Sequence, residues 1–277
     1  MQRRRPCFRF DDTKTYRMPA TFGDLPFVPD TTVHMRDTVG LSFTCTTEED
    51  RLARYVPDAF EILRPEVVIG FVQMREIDWM AGGRYNVVMV DVPVRYTGKR
   101  DRLEGNFNLV TWENRTTPIL AGRDDAGVPK IFADIQDLHS GAAGYLDAPD
   151  YFTNASYDGN TFVRMEMSGA RPIEGEQLAA LRTSPVAINV LSWRYLPNVA
   201  GPGAAVSYPV LFPQGGEVRD AWIGSGSVEW IRQKPWQNPT QHHIINALAD
   251  LPVIGTAQVM MTKGSAFLKS GQARVLE

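Results

Sequence analysis

Cysteine, lysine and net charge are all scarce in this chain. Two cysteines, Cys7 and Cys45, in 277 residues are too few for a disulfide framework, and neither belongs to a CxxC pair. A net charge of −3 leaves no basic excess for a nucleic-acid partner. No uninterrupted apolar run approaches the ~18 residues that a membrane-spanning helix needs, so no membrane partner is expected. The first ten residues are basic but no apolar stretch follows them, so a secretory signal is not expected and a cytoplasmic location is. The four histidines (His34, His139, His242, His243) lack metal-ligand spacing. GxGxxG, GxxxxGK[ST] and GxSxG are all missing, which removes the usual support for nucleotide and serine-hydrolase chemistry. No cofactor and no metal are expected.

The shortage of lysine is the most telling. Only six lysines stand against twenty-three arginines, so the basic surface is built almost wholly from arginine. One of the six, Lys130, is set among Val128, Pro129, Ile131 and Phe132. An amine held in apolar surroundings loses solvation of its charged form, which frees a nucleophile for Schiff-base chemistry. The alternative on these residues alone is a lysine whose stem covers a strand edge while its head reaches water.

Strand-like segments dominate, at residues 39–44, 67–74, 85–96, 107–112, 118–121, 131–135, 161–167, 187–196, 221–228 and 255–263. Pro93, within the longest of them, argues for an edge or a bulge. Helices are expected at 48–55, with Thr46 or Thr47 as N-cap, and at 174–182 and 240–248. The Gly/Pro-rich stretches 198–205 and 213–217 read as loops, and Asp124 and Asp125 as turn residues. The pattern predicts a mainly β, α+β fold: a largely antiparallel, cone- or barrel-like sheet with a few outer helices. Such a cone supplies the apolar interior that a reactive lysine needs.

Several segments, taken together, point to a family. They are Tyr16-Arg-Met-Pro-Ala-Thr-Phe-Gly23, Arg54-Tyr-Val-Pro-Asp-Ala-Phe-Glu-Ile62, and Gly82-Gly-Arg-Tyr-Asn86 followed by Val92-Pro-Val94. Pro118-Ile-Leu-Ala-Gly-Arg-Asp124 then leads to Val128-Pro-Lys130, with Asp220-Ala-Trp-Ile-Gly224 and Ala249-Asp-Leu-Pro252 further on. Along nearly its whole length the chain resembles the acetoacetate decarboxylase superfamily, the Gly-Arg-acid…Pro-Lys segment being the specific part. The resemblance implies a single domain over residues 1–277, assembly into a homo-oligomer, and a Lys130 that condenses with the ketone of a small oxo-acid. The iminium is an electron sink. Loss of CO2 from a β-keto acid, or of a proton from pyruvate, leads to an enamine.

Two departures bear on which of these occurs. The decarboxylases carry a second lysine after the catalytic one, where this chain has Ile131; in acetoacetate decarboxylase a neighbouring cation activates the nucleophile. They also carry a glutamate where this chain has Val87, and the nearest acid, Asp91, is expected to point elsewhere. Aldolase–dehydratase or hydratase chemistry on a pyruvate-type substrate is therefore slightly favoured over decarboxylation of a β-keto acid such as acetoacetate. A non-catalytic ligand-binding module is the third reading. Tyr85 is a candidate proton donor or a core tyrosine. Arg36 lies where the family has an active-site arginine. Arg123 is expected either to clamp the substrate carboxylate or to pair with Asp124 or Asp134.

Overall fold

The computed structural model describes residues 7–25, 31–141, 149–183 and 186–277; the basic residues 1–6 lie outside it. In chain order it contains β1 (Val33–Thr46), α1 (Glu49–Leu52), β2 (Phe60–Ile62), β3 (Glu66–Ile77), β4 (Gly83–Thr97) and β5 (Arg102–Glu113). Then come α2 (Thr116–Ala126), β6 (Lys130–Phe132), β7 (Asp134–Ile135), β8 (His139–Ser140), β9 (Tyr151–Tyr157) and β10 (Asn160–Pro172). The chain continues through α3 (Gly175–Thr183), β11 (Val186–Pro197), β12 (Ala204–Trp230), α4 (His242–Ala249), β13 (Ile254–Leu268) and β14 (Arg274–Val275).

Hydrogen bonding runs β11-β5-β4-β3-β1-β13-β12, and β12 pairs back onto β11, so these seven strands close into a ring. Among the described residues every strand pairing is antiparallel except β5 with β11 and β5 with β6. The strand-rich, largely antiparallel fold expected from the sequence is the one found. Among the described residues no helix is long and apolar enough to cross a membrane.

β4 explains its own apolar run. Val88, Val90 and Val92 face a core shared with Phe162 and Met165 of β10 and Ile245 and Leu248 of α4. The alternate residues Tyr85, Val87, Met89 and Asp91 line a cavity instead. A strand covered on both faces loses the usual polar alternation. Pro93 sits just past a register shift at Val90/Asp91, where β3 gives way to β2 as partner, so its missing N–H costs no ladder bond there.

Four expectations are corrected. Residues 118–121 are helical, part of α2, because Pro118 falls in the first turn, where its missing N–H is tolerated. Asp124 and Asp125 are then last-turn helix residues, and Gly127 (φ 66) ends the helix. Residues 213–217 lie inside β12, where the strand leaves β11 for β13; a Cβ on Gly216 would stand 2.7 Å from the Ser265 carbonyl, so the strands approach this closely only with glycine. Finally, α1 begins after Glu48, not Thr46 or Thr47, and has no side-chain cap.

Candidate active site

A parallel pair needs a crossover, and α2 provides it between β5 and β6. Lys130 is the first residue of β6, level with Thr111 of β5. Its side chain is only 10% exposed, and its Nζ lies 2.7 Å from Glu113 Oε1 and donates to the Pro118 carbonyl at 3.3 Å. A Cβ on Gly122 would come within 2.4 Å of Lys130 Cε, so glycine here lets the lysine stem lie against the helix in its present place. Arg123 Nη1 donates to the Lys130 carbonyl at 2.9 Å. Glycine and arginine of the Gly-Arg-acid motif thus both serve the lysine, one by leaving room and the other by holding its backbone.

Gly122→Ala is expected to displace the lysine head by forcing its stem aside. Adduct formation with an oxo-acid should fall at least tenfold while the helix, with its better alanine propensity, remains folded by circular dichroism. An alanine variant with the original adduct rate would remove this role from Gly122.

Glu113 went unrecognised in the sequence. It ends β5 directly opposite Val87, on the same sheet face. Directly opposed side chains lie within about 4.5–5.5 Å at Cβ. A carboxylate therefore reaches the neighbourhood of Val87 from the next strand. The one available signal was an acid closing an otherwise uncharged run from Gly105 to Trp112. Glu113 is 2% exposed, and its Oε2 is buried with no hydrogen-bond partner. Burial pushes its carboxyl up, an effect partly offset by Lys130.

The expectation for Asp91 is also overturned. Residues four apart on a strand share a face, and Asp91 lines the same cavity as Val87. In the register shift, Val90 pairs with Val110 and Asp91 with Asn108, leaving Leu109 as the extra residue of a bulge. The bulge brings Asn108 onto the face that carries Thr111 and Glu113. Thr111 Oγ1 donates to Asn108 Oδ1 at 2.9 Å, and Asn108 Nδ2 donates to Asp91 Oδ1 at 2.6 Å. Burial raises the Asp91 carboxyl to about 7 despite that hydrogen bond.

Two cavities meet at the lysine. The inner chamber, about 40 Å³, is lined by Met89, Asp91, Asn108, Thr111, Glu113 and Gln214 among others. The outer cavity, about 370 Å³, is lined by Arg17, Trp79, Gly122 and Asp125 among others. Tyr85, Lys130, Phe212 and Leu268 line both. Tyr85 is 2% exposed, and burial, followed by the charge of Glu113, holds its phenol well above the usual range, so it keeps its proton as a donor would.

The expected arginines stand elsewhere. Arg123 is turned to the Lys130 backbone and lines a separate surface depression with Trp193 and Arg194. Arg36 is exposed on β1, next to the inward-facing Met35, and lines neither cavity. The guanidinium that does line the outer cavity is Arg17, paired with Asp125.

Comparison with known proteins gives the family and the fold. The family model for acetoacetate decarboxylase (ADC) matches residues 17–266. No curated protein matches. Among solved structures, acetoacetate decarboxylase from Legionella pneumophila subsp. pneumophila str. Philadelphia 1 is similar at 22% identity and TM-score 0.70, over 94% of this chain and 92% of that one. The enduracididine biosynthesis enzyme MppR complexed with pyruvate is similar at 14% identity and TM-score 0.65, over 95% and 97%. The same enzyme has also been solved with the condensation product of pyruvate and imidazole 4-carboxaldehyde; that structure aligns at 14% identity and TM-score 0.61, over 94% and 95%. An acetoacetate decarboxylase-like enzyme from Sphingomonas wittichii RW1 is similar at 17% identity and TM-score 0.64, over 95% and 98%. Since that family model spans residues 17–266, nearly the whole chain, the chain belongs to the acetoacetate decarboxylase family.

Proposed function

We propose that this protein is a Schiff-base-forming lyase that acts on a small oxo-acid through Lys130. The observation that carries the reading is the buried Lys130–Glu113 pair at 2.7 Å, placed where two cavities meet. Burial raises the proton affinity of Glu113, so the carboxylate can take a proton from the ammonium and leave a free amine. The amine adds to the ketone carbon, and the returning proton helps expel hydroxide as water, giving the iminium. Tyr85, protonated and beside the lysine in both cavities, can hydrogen-bond the carbonyl oxygen as it becomes an alkoxide.

Of the two enamine routes, aldol addition and dehydration on a pyruvate-type substrate is favoured. Among the described residues the inner chamber is lined by two carboxyl groups and by no guanidinium, a poor place for a substrate carboxylate. MppR, similar in fold, is seen with pyruvate and with a pyruvate–aldehyde condensation product. Decarboxylation of a β-keto acid is the second reading, supported by the family itself.

Borohydride reduction with pyruvate or acetoacetate tests the proposal. The expected result is a ligand mass added to the peptide that carries Lys130. No adduct with any 2- or 3-oxo acid would reduce the protein to a ligand-binding module. With an adduct in hand, an enone absorbance from pyruvate plus an aldehyde selects aldol–dehydration, and CO2 release from acetoacetate selects decarboxylation.

A further inference from the structure

We infer that Asp91 is a second catalytic acid, which protonates a departing hydroxyl on the substrate held by Lys130. The inference rests on the Schiff-base reading and identifies the group within that site that makes the site a carbon–oxygen lyase.

Geometry comes first. Asp91 and Glu113 line one small chamber, yet they are placed differently. Glu113 is bonded to the lysine. Asp91 lies on the same face as Val87, four residues further along β4, and its hydrogen-bond partner is the neutral amide of Asn108. The amide is oriented by Thr111, whose hydroxyl donates to Asn108 Oδ1 and so turns Nδ2 towards Asp91 Oδ1. With Oδ1 already accepting, the carboxyl proton belongs on Oδ2. Among the described residues the other titratable groups facing the chamber are Tyr85, Glu113 and Lys130; Gln214 of β12 adds a neutral amide. Burial raises the Asp91 carboxyl to about 7, so it carries its proton around neutrality and can also part with it. Two carboxyls in one site, one beside a cation and one beside an amide, divide into a base and an acid.

Size and charge orient the substrate. About 40 Å³ is room for a few atoms, since a single water needs roughly 10–15 Å³ by the same measure. A hydroxyl-bearing carbon with a short substituent fits it. The substrate carboxylate then points into the outer cavity, where Arg17 lies. The class indicated is a short 4-hydroxy-2-oxo acid bound as its C2 iminium. Glu113 takes a proton from C3, leaving the enamine. The enamine pair moves to form the C3–C4 double bond as the C4–O bond breaks, and Asp91 gives its proton to the leaving oxygen, which departs as water. Hydrolysis of the unsaturated iminium returns the amine and releases a 3,4-unsaturated 2-oxo acid. The proton on Glu113 returns to Asp91 through solvent, so the net change is loss of one water.

Asp91→Asn separates this role from that of the lysine. The variant is expected to keep the borohydride-trapped pyruvate adduct on Lys130 within about twofold of wild type. Enone formation from a short 4-hydroxy-2-oxo acid should fall 10²- to 10⁴-fold, the range for loss of one general acid. The wild-type elimination rate should decline as pH rises through 7, and the variant should lose that decline. Elimination by the variant at the wild-type rate with the same pH profile overturns the role of Asp91 and leaves the lysine reading intact. Should the variant fail to fold, a wild-type elimination rate that does not fall across neutrality overturns it instead. A wild type that forms no adduct overturns both.

Discussion

Lys130→Ala is expected to abolish the borohydride-trapped adduct and all turnover, and to destabilise the protein at the same time. Activity is lost because no other amine lines either cavity among the described residues. Lys130→Arg should not restore it, since a guanidinium stays protonated and cannot form the imine near neutral pH. Stability falls because the substitution strands Glu113, whose Oε1 loses its ion pair while Oε2 already has no partner. Breaking one side of a buried pair costs about 3–5 kcal/mol. Burial favours the protonated form of Glu113, so the folded variant binds a proton that the unfolded chain has released. Its deficit against wild type should therefore shrink as pH falls and be greatest in alkaline solution. Denaturant melts of both proteins across pH check this; a deficit independent of pH would mean that Glu113 is not the group left unpaired.

Glu113→Gln should be the second large loss, through a different step. The amide keeps the shape of the side chain but cannot accept the ammonium proton. Adduct formation is expected to slow by about 10²- to 10⁴-fold near neutrality, the usual worth of a positioned base. Raising the pH should recover part of the rate, because solvent hydroxide then removes the proton instead. Retention of the wild-type rate and pH profile would leave Glu113 as a structural counter-ion only. A chain that carries Lys130→Met together with Glu113→Gln should lose less stability than the two single changes summed, since neither charge is then left alone.

Lys130 stood out in the sequence because lysine is rare there and its neighbours are apolar, but those properties fit a strand-edge lysine as well, and the family resemblance was what set it apart. The strands of the ring were legible from their β-branched runs, β4 above all. What could not be read was anything that depends on register. Glu113 matters because it stands across from Val87, and no property of either residue alone announces that pairing. Asp91 shares a face with Val87 by simple alternation, while Asn108 joins them only because of a one-residue bulge on the neighbouring strand. The residues 118–121 misled for the opposite reason. An apolar tetrapeptide opened by proline suits an edge strand or a first helical turn, and only the crossover needed between parallel β5 and β6 decides it. Arg123 was expected to clamp a substrate carboxylate or to pair with Asp124 or Asp134; instead its guanidinium holds the Lys130 carbonyl, a contact that depends on how α2 lies against β6.

The closing of the ring sets the order in which this site can come into existence. β5 and β11, joined side by side, are separated by more than seventy residues of chain, and β12 and β13 follow later still. Val190, Phe212, Gln214 and Leu268, which help enclose the lysine's chamber, all come from that last third. Contacts of such long sequence separation are entropically expensive and form late in folding. During synthesis the lysine and its carboxylate emerge early, on strands with one side still open to water. The walls of the chamber arrive only with the end of the chain, so a product cut short before β12 would carry the lysine–carboxylate pair without its enclosure.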